Sequence, residues 1–166
     1  MDKIMPAPLP VVLGGTRLIM GAIFFWAFLD KTFGLNFATA PGDAWLNGVS
    51  PTYGYLRFAS SGPFENVFHT LAGNAVVDWL YMLGLLTIGL GFLFGIGRRV
   101  TTVNALLLLS LIWLSALPPE HNPIIDEHIV YIFVVLILYY TQANRWLGLG
   151  EWWMRQPIVK RLPFLH

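Results

Sequence analysis

Four long apolar runs make up nearly half of this chain, at 11–28, 75–96, 100–117 and 124–143. Eighteen residues of helix at about 1.5 Å each reach roughly 27 Å, close to a hydrocarbon core of about 30 Å. The runs are too long and too evenly apolar for strands of a soluble sheet, so the pattern predicts helices. Charge agrees with that assignment. Only 11% of the 166 residues are charged, against about 25% in a soluble domain. Mean hydropathy is +0.63. A disordered chain is excluded, and a soluble enzyme is a poor fit. With net charge +1 and no Lys/Arg stripe, nucleic acid is not a partner. There is no Cys, which removes disulfides, thiolate metal sites and dithiol relays.

The expected fold is all-α, an integral membrane four-helix bundle in one domain over 1–166. The first run follows Lys3, as a signal peptide's would. It is too long for a signal h-region and contains Arg17, and the one A-x-A sequence, Ala38-Thr39-Ala40, lies well past it. A retained helix is therefore expected. With four spans, Lys3, Arg98, Arg99, Arg145, Arg155, Lys160 and Arg161 share one side, and Lys31 and Arg57 the other. The positive-inside rule then puts both termini in the cytoplasm of a multi-pass cell-membrane protein. Most acids fall on the outer side.

The connections differ in kind. A tight Gly95-Ile96-Gly97-Arg98-Arg99 turn predicts antiparallel neighbours for the second and third spans. Asn122 and Pro123 are placed to cap and open the fourth. The long segment 29–74 is rich in aromatic and leucine residues, too apolar for a solvated loop. Short helices in the outer interface are expected there. The tail over 146–166 carries Trp152, Trp153 and several bases and reads as interfacial and cytoplasmic. Gly14-Gly15 and the Gly91/Gly95 pair have helix-packing spacing; the second could equally join two copies in a homo-oligomer.

Polar residues near a membrane interior are functional candidates. Arg17 lies about 9 Å inside its helix start. It either snorkels to headgroups or faces the core, where it could hold a quinone carbonyl or an anion with Asn104 and Gln142 nearby. The second candidate is an outer group. Asp30 and Lys31 close the first span, Asp78 opens the second, and Asp126, Glu127 and His128 open the fourth. Taken singly, the first-turn acids suit a helix dipole. As a set, they suit proton traffic at the outer mouth, with Asp126, His128 and Asp78 handling protons. Arg17, Lys31, Asp30 and Arg57 would bind the substrate or a quinone, and Lys31, Arg57, His69 and His128 could bind a small anion. A metal held by Asp126, His128, Glu120 and His121 has little support, because no HxxxH or HExxH spacing occurs. Haem has less, since His69, His121 and His128 lie on one side. A channel is disfavoured because the middle spans have few polar residues at mid-depth.

The chain resembles the DoxX/DoxD family. The residues that carry the resemblance are Asp30-Lys31 closing the first span, Leu85-Leu86-Thr87-Ile88-Gly89-Leu90-Gly91 in the second, the Gly97-Arg98-Arg99 turn, and Asn122-Pro123-Ile124-Ile125-Asp126-Glu127-His128 opening the fourth. The resemblance runs from Leu13 to Tyr140. It implies a small membrane subunit of a quinone-linked oxidoreductase of the thiosulfate:quinone type. Quinone would be the acceptor, and a second subunit such as DoxA the partner. A chain without Cys cannot carry sulfur on its own thiol. The competing expectation is a non-catalytic anchor or assembly subunit that docks a redox partner through 45–68.

Overall fold

The computed structural model describes residues 8–166; Lys3, counted above among the inner bases, lies outside them. Helices are the regular elements of the described residues, without a named strand. Four helices dominate: α1 (Leu9–Phe33), α3 (Ala75–Phe94), α4 (Arg98–Ser115) and α5 (Glu127–Tyr140). Helix α2 (Glu65–Leu71) precedes α3, and α6 (Gly150–Met154) and α7 (Pro157–Arg161) lie in the tail. Two of these, α1 and α3, are long and apolar enough to cross a membrane; α5 is apolar but shorter.

Helix ends follow local chemistry. Helix α1 runs on until Gly34 adopts φ 64° and returns its N–H to the Asp30 carbonyl, a left-handed cap that glycine makes at no steric cost. Asp30 and Lys31 therefore lie within its last turns rather than after it. Asn74 caps α3 by accepting from the Val76 N–H, and Gly95 closes it at φ 70°. Helix α5 departs from expectation. Asn122 does accept from the N–H groups of Ile124 and Ile125, but only to shape an isolated turn. The helix opens at Glu127, where Asp126 accepts from His128 and Ile129. Each residue accepts from two N–H groups, but Asp126 also sets a negative charge at the positive end of the helix. At the other end Thr141 closes the helix and Gln142 takes φ 54°, so α5 does not continue through 141–143.

Helices α1 and α3 form the closest pair. Gly21 sits against the backbone at Leu93 and Gly89, and Gly89 against the backbone of Phe25. The order of these contacts makes the pair antiparallel. Gly91 lies on Thr101 and Gly84 near Asn104, which sets α4 antiparallel to α3. Helix α5 packs on α4. Gly91 therefore serves a contact inside one chain, and Gly95 a helix end. Gly14 faces Trp146 and Leu147, whereas Gly15 has open space around it. The core joins Met20, Phe24, Met82, Ile88, Leu109 and Val135 from all four helices.

The outward faces are apolar as well. Exposed apolar residues recur at helical spacing on α1 (Val12, Ile19, Ile23, Trp26), α3 (Val76, Leu80, Leu83), α4 (Val103, Leu107, Leu111) and α5 (Val130, Phe133, Ile137, Tyr140). A water-soluble bundle keeps its charged residues on that face.

The long connection holds the expected short helices: turns at Pro41–Asp43 and Trp45–Asn47, a π-helical turn at Tyr55–Ala59, a turn at Gly62–Phe64, and then α2. It is tied to the end of α4 by Ser61 N–H on the Ser115 carbonyl and by Tyr55 Oη with Ser115 Oγ. The tail is docked rather than spread flat. Trp153 Nε1 donates to the Leu165 carbonyl, and Arg99 donates to the carbonyls of Pro163 and His166. Trp152 faces outward, 55% exposed.

Candidate functional site

The antiparallel order brings the outer candidates to one end of the molecule and most of the bases to the other. Among the first group, the closest constellation is Asp126 with His128. Asp126 Oδ1 accepts from the His128 and Ile129 N–H groups at 3.0 and 3.3 Å. Its Oδ2 lies 2.8 Å from His128 Nδ1. A carboxylate accepts, so Nδ1 carries the hydrogen and Nε2 is the imidazole's free nitrogen. The His128 side chain is 21% exposed and that of Asp126 11%. The helix cap thus doubles as the group that orients the imidazole. Trp113 Nε1 donates to the Ile124 carbonyl at 2.8 Å and holds the approach to this cap against the end of α4.

Asp126, Glu127 and His128 offer donor atoms within 4.8 Å of one another. Both Asp126 oxygens and His128 Nδ1 are already committed to hydrogen bonds within the cap. Glu120 and His121, the other candidate ligands, are exposed and lie outside this group.

The remaining outer residues belong to separate local networks. Asp30 is 2% exposed and accepts from the N–H groups of Phe37 and Ala38 at 3.2 and 3.0 Å. It caps the loop that follows α1. Lys31 lies 6.0 Å from the Tyr81 ring centroid. Asp78, in the first turn of α3, accepts from Ser50 Oγ at 2.8 Å and Thr52 Oγ1 at 2.5 Å. Arg57 is exposed on the π-helical turn and makes no hydrogen bond or ion pair among the described residues. His69 faces Glu65 one turn earlier on α2, at 3.7 Å. No hydrogen bond or ion pair joins Asp30, Asp78 and the Asp126–His128 pair to one another.

Arg17 is decided by the fold. It is 2% exposed and does not snorkel. Nη1 donates to the carbonyls of Phe92 and, at 3.0 Å, Leu93; Nη2 donates to those of Trp146 and Leu147 at 3.1 and 2.9 Å. Two of these acceptors are carbonyls of the last turn of α3, which have no partner within the helix and carry the negative end of its dipole. Asn104 turns instead to Thr87 Oγ1 and the Gly84 carbonyl, and Gln142 forms the turn after α5. Neither accepts from Arg17. The guanidinium thus joins α1, the end of α3 and the segment after α5, and Leu149 N–H on the Phe94 carbonyl reinforces the same seam. A fork with five donors can bridge two chain segments in this way.

The sequence did not point to Ser50 and Thr52 as partners of Asp78, since they lie 28 and 26 residues away. It also missed the Gly21–Gly89 crossing. Gly14 and Gly21 are seven apart and mark one face of α1, which was the available signal.

Comparison of the chain with protein-family models, curated proteins and solved structures finds no match.

Proposed function

We propose that this chain is a multi-pass membrane protein, a four-helix bundle with both termini in the cytoplasm, that serves as a small subunit of a quinone-linked oxidoreductase, with thiosulfate as electron source. The apolar outward faces of α1, α3, α4 and α5 support embedding of all four helices. The crowding of Arg98, Arg99, Arg145, Arg155, Lys160 and Arg161 at one end supports the orientation. The short α5 is completed to bilayer thickness by Ile124 and Ile125 on the outer side and by the turn after Tyr140 on the inner side.

The observation that carries the redox reading is the Asp126–His128 pair at the outer end. Reduction of a quinone to a quinol takes up two electrons and two protons. An imidazole fixed through Nδ1 by a carboxylate presents Nε2 for proton transfer, and imidazole is the side-chain group best suited to that work near neutral pH. The DoxX/DoxD resemblance supplies the substrate class, and a partner subunit the electrons. Arg17 acts in this reading as a structural strut and Asp30 as a loop cap.

The test is thiosulfate-dependent quinone reduction by the purified protein with its partner. His128→Ala is expected to lower the rate about 10²-fold, the lower range for a positioned proton-transfer group. Asp126→Asn should lower it less, with a shifted pH profile. Full activity in both variants refutes the assignment. A second reading, a non-catalytic anchor, is favoured by the exposed Leu46 and Phe58 within 45–68. Co-purification of a redox partner that retains full activity with the His128→Ala variant would select it.

A further inference from the structure

Asp78 lines a second feature of the outer end. A pocket of about 250 Å³ lies between the turn at Trp45–Asn47 and the start of α3, bordered by Trp45, Gly48, Ser50, Gly73, Asp78 and Trp79. Asp78 is only 6% exposed. Both hydroxyl donors, from Ser50 and Thr52, go to its Oδ1. Among the described residues nothing donates to Oδ2, and Asp78 takes part in no ion pair. A buried carboxylate is ordinarily paired with a cation. The N-terminus of α3 offers it only a partial positive charge.

The walls say what kind of cation fits. Trp45 and Trp79 meet edge to face, with centroids 4.7 Å apart and planes at 73°, and form an aromatic corner beside the carboxylate. The remaining wall is small and mostly apolar, with glycine at 48 and 73 beside Val49, Ser50 and Ala75. A hard metal ion needs six or more oxygen ligands, and indole rings supply none. Indole faces attract organic cations, quaternary ammonium above all. The volume falls below the range of about 300–1,000 Å³ usual for drug-sized ligands, so it suits a head group.

We propose that this pocket binds a quaternary ammonium group, with Asp78 Oδ2 as counter-ion and Trp45 and Trp79 as the aromatic cage. Such a group is carried by free choline-type solutes and by choline lipids, and Trp79, 56% exposed, borders the face open to either. The site is independent of the Asp126–His128 pair, to which no hydrogen bond or ion pair connects it.

The full chain in uncharged maltoside micelles is titrated with radiolabelled choline and, in competition, with tetramethylammonium, ammonium, sodium and calcium. One saturable site per chain is expected, displaced by tetramethylammonium at least tenfold better than by the other three. Asp78→Asn should weaken binding at least tenfold. Trp79→Leu, at a largely exposed position, should weaken it about tenfold and keeps the test valid if Asp78→Asn fails to fold. The same titration in nanodiscs containing phosphatidylcholine separates the two sources: loss of free-choline binding there supports a lipid headgroup as occupant, and unchanged binding supports a free solute. Absence of saturable binding in micelles, equal displacement by sodium or calcium, or unchanged affinity in Trp79→Leu overturns the proposal.

Discussion

Replacing Arg17 with methionine is expected to destabilise the protein by about 3 kcal/mol or more. The side chain stays long and unbranched but loses its donors. Four carbonyls then lose their partners, those of Phe92, Leu93, Trp146 and Leu147. Each buried acceptor left unpaired costs about 1–3 kcal/mol, with part of the sum recovered where the 146–147 segment loosens toward water. The loss should appear first as release of the tail, because the same seam holds Leu149 to Phe94. Arg17→Lys is expected to fall between wild type and the Arg17→Met variant. An ammonium keeps the charge, but it cannot fork between two segments as a planar guanidinium does. Equilibrium unfolding in micelles, followed by circular dichroism, measures the first effect, and limited proteolysis of 142–166 the second. An Arg17→Met variant within about 1 kcal/mol of wild type, less than the cost of one unpaired acceptor, would show that the guanidinium is not the strut described here.

The second large effect is steric. Gly89→Val should cost about 3 kcal/mol, the upper part of the usual range for overpacking. A Cβ at position 89 would lie 2.8 Å from the Cα, N and Cβ atoms of Phe25. Those are atoms fixed to the α1 backbone, so no rotamer change relieves the contact and the two helices must separate. Gly21→Val should behave alike, since its Cβ would meet the Leu93 nitrogen at 2.7 Å. Gly15→Ala is the control. It lies on the same helix as Gly21 with nothing within 4 Å, and alanine favours helix over glycine by roughly 0.5–1 kcal/mol. It should unfold no earlier than wild type. If Gly89→Val and Gly15→Ala melt together, α1 and α3 do not cross at these glycines.

Part of this architecture was legible in the residues. Gly95 acts at a helix end through a local rule that needs no tertiary context. The turn from Gly95 to Arg99 fixes antiparallel neighbours because it is too short for any other path. The end of the first span was placed too early because Asp30 and Lys31 looked like a polar stop. Asp30 satisfies itself locally by folding 37–38 back onto its carboxylate, which lets the helix continue to Phe33. The start of α5 was placed too early for a related reason. Asn122 and Asp126 are both good caps, and spacing alone does not rank two caps four residues apart.

The outer candidates show where sequence order ends. Asp126 and His128 are two residues apart, so their pairing is a local event that a helix cap brings about. Asp78 takes its hydroxyl partners from a distant loop, and nothing in the spacing foretold them. Asp30, Asp78 and the Asp126–His128 pair were grouped because topology sends them to one end of the molecule. In the structure each bonds to its own surroundings, since a carboxylate accepts from the nearest free donor. By itself the sequence determined a helical, charge-poor chain with bases gathered at one end, because hydropathy and helix propensity act over neighbouring residues. Only the tertiary structure decided that Arg17 is a strut, that Gly21 and Gly89 set the α1–α3 crossing, and that Asp78 faces an aromatic pocket. Those outcomes depend on which carbonyls, rings and backbones the packing brings within a few ångströms, and a linear order of residues does not contain those distances.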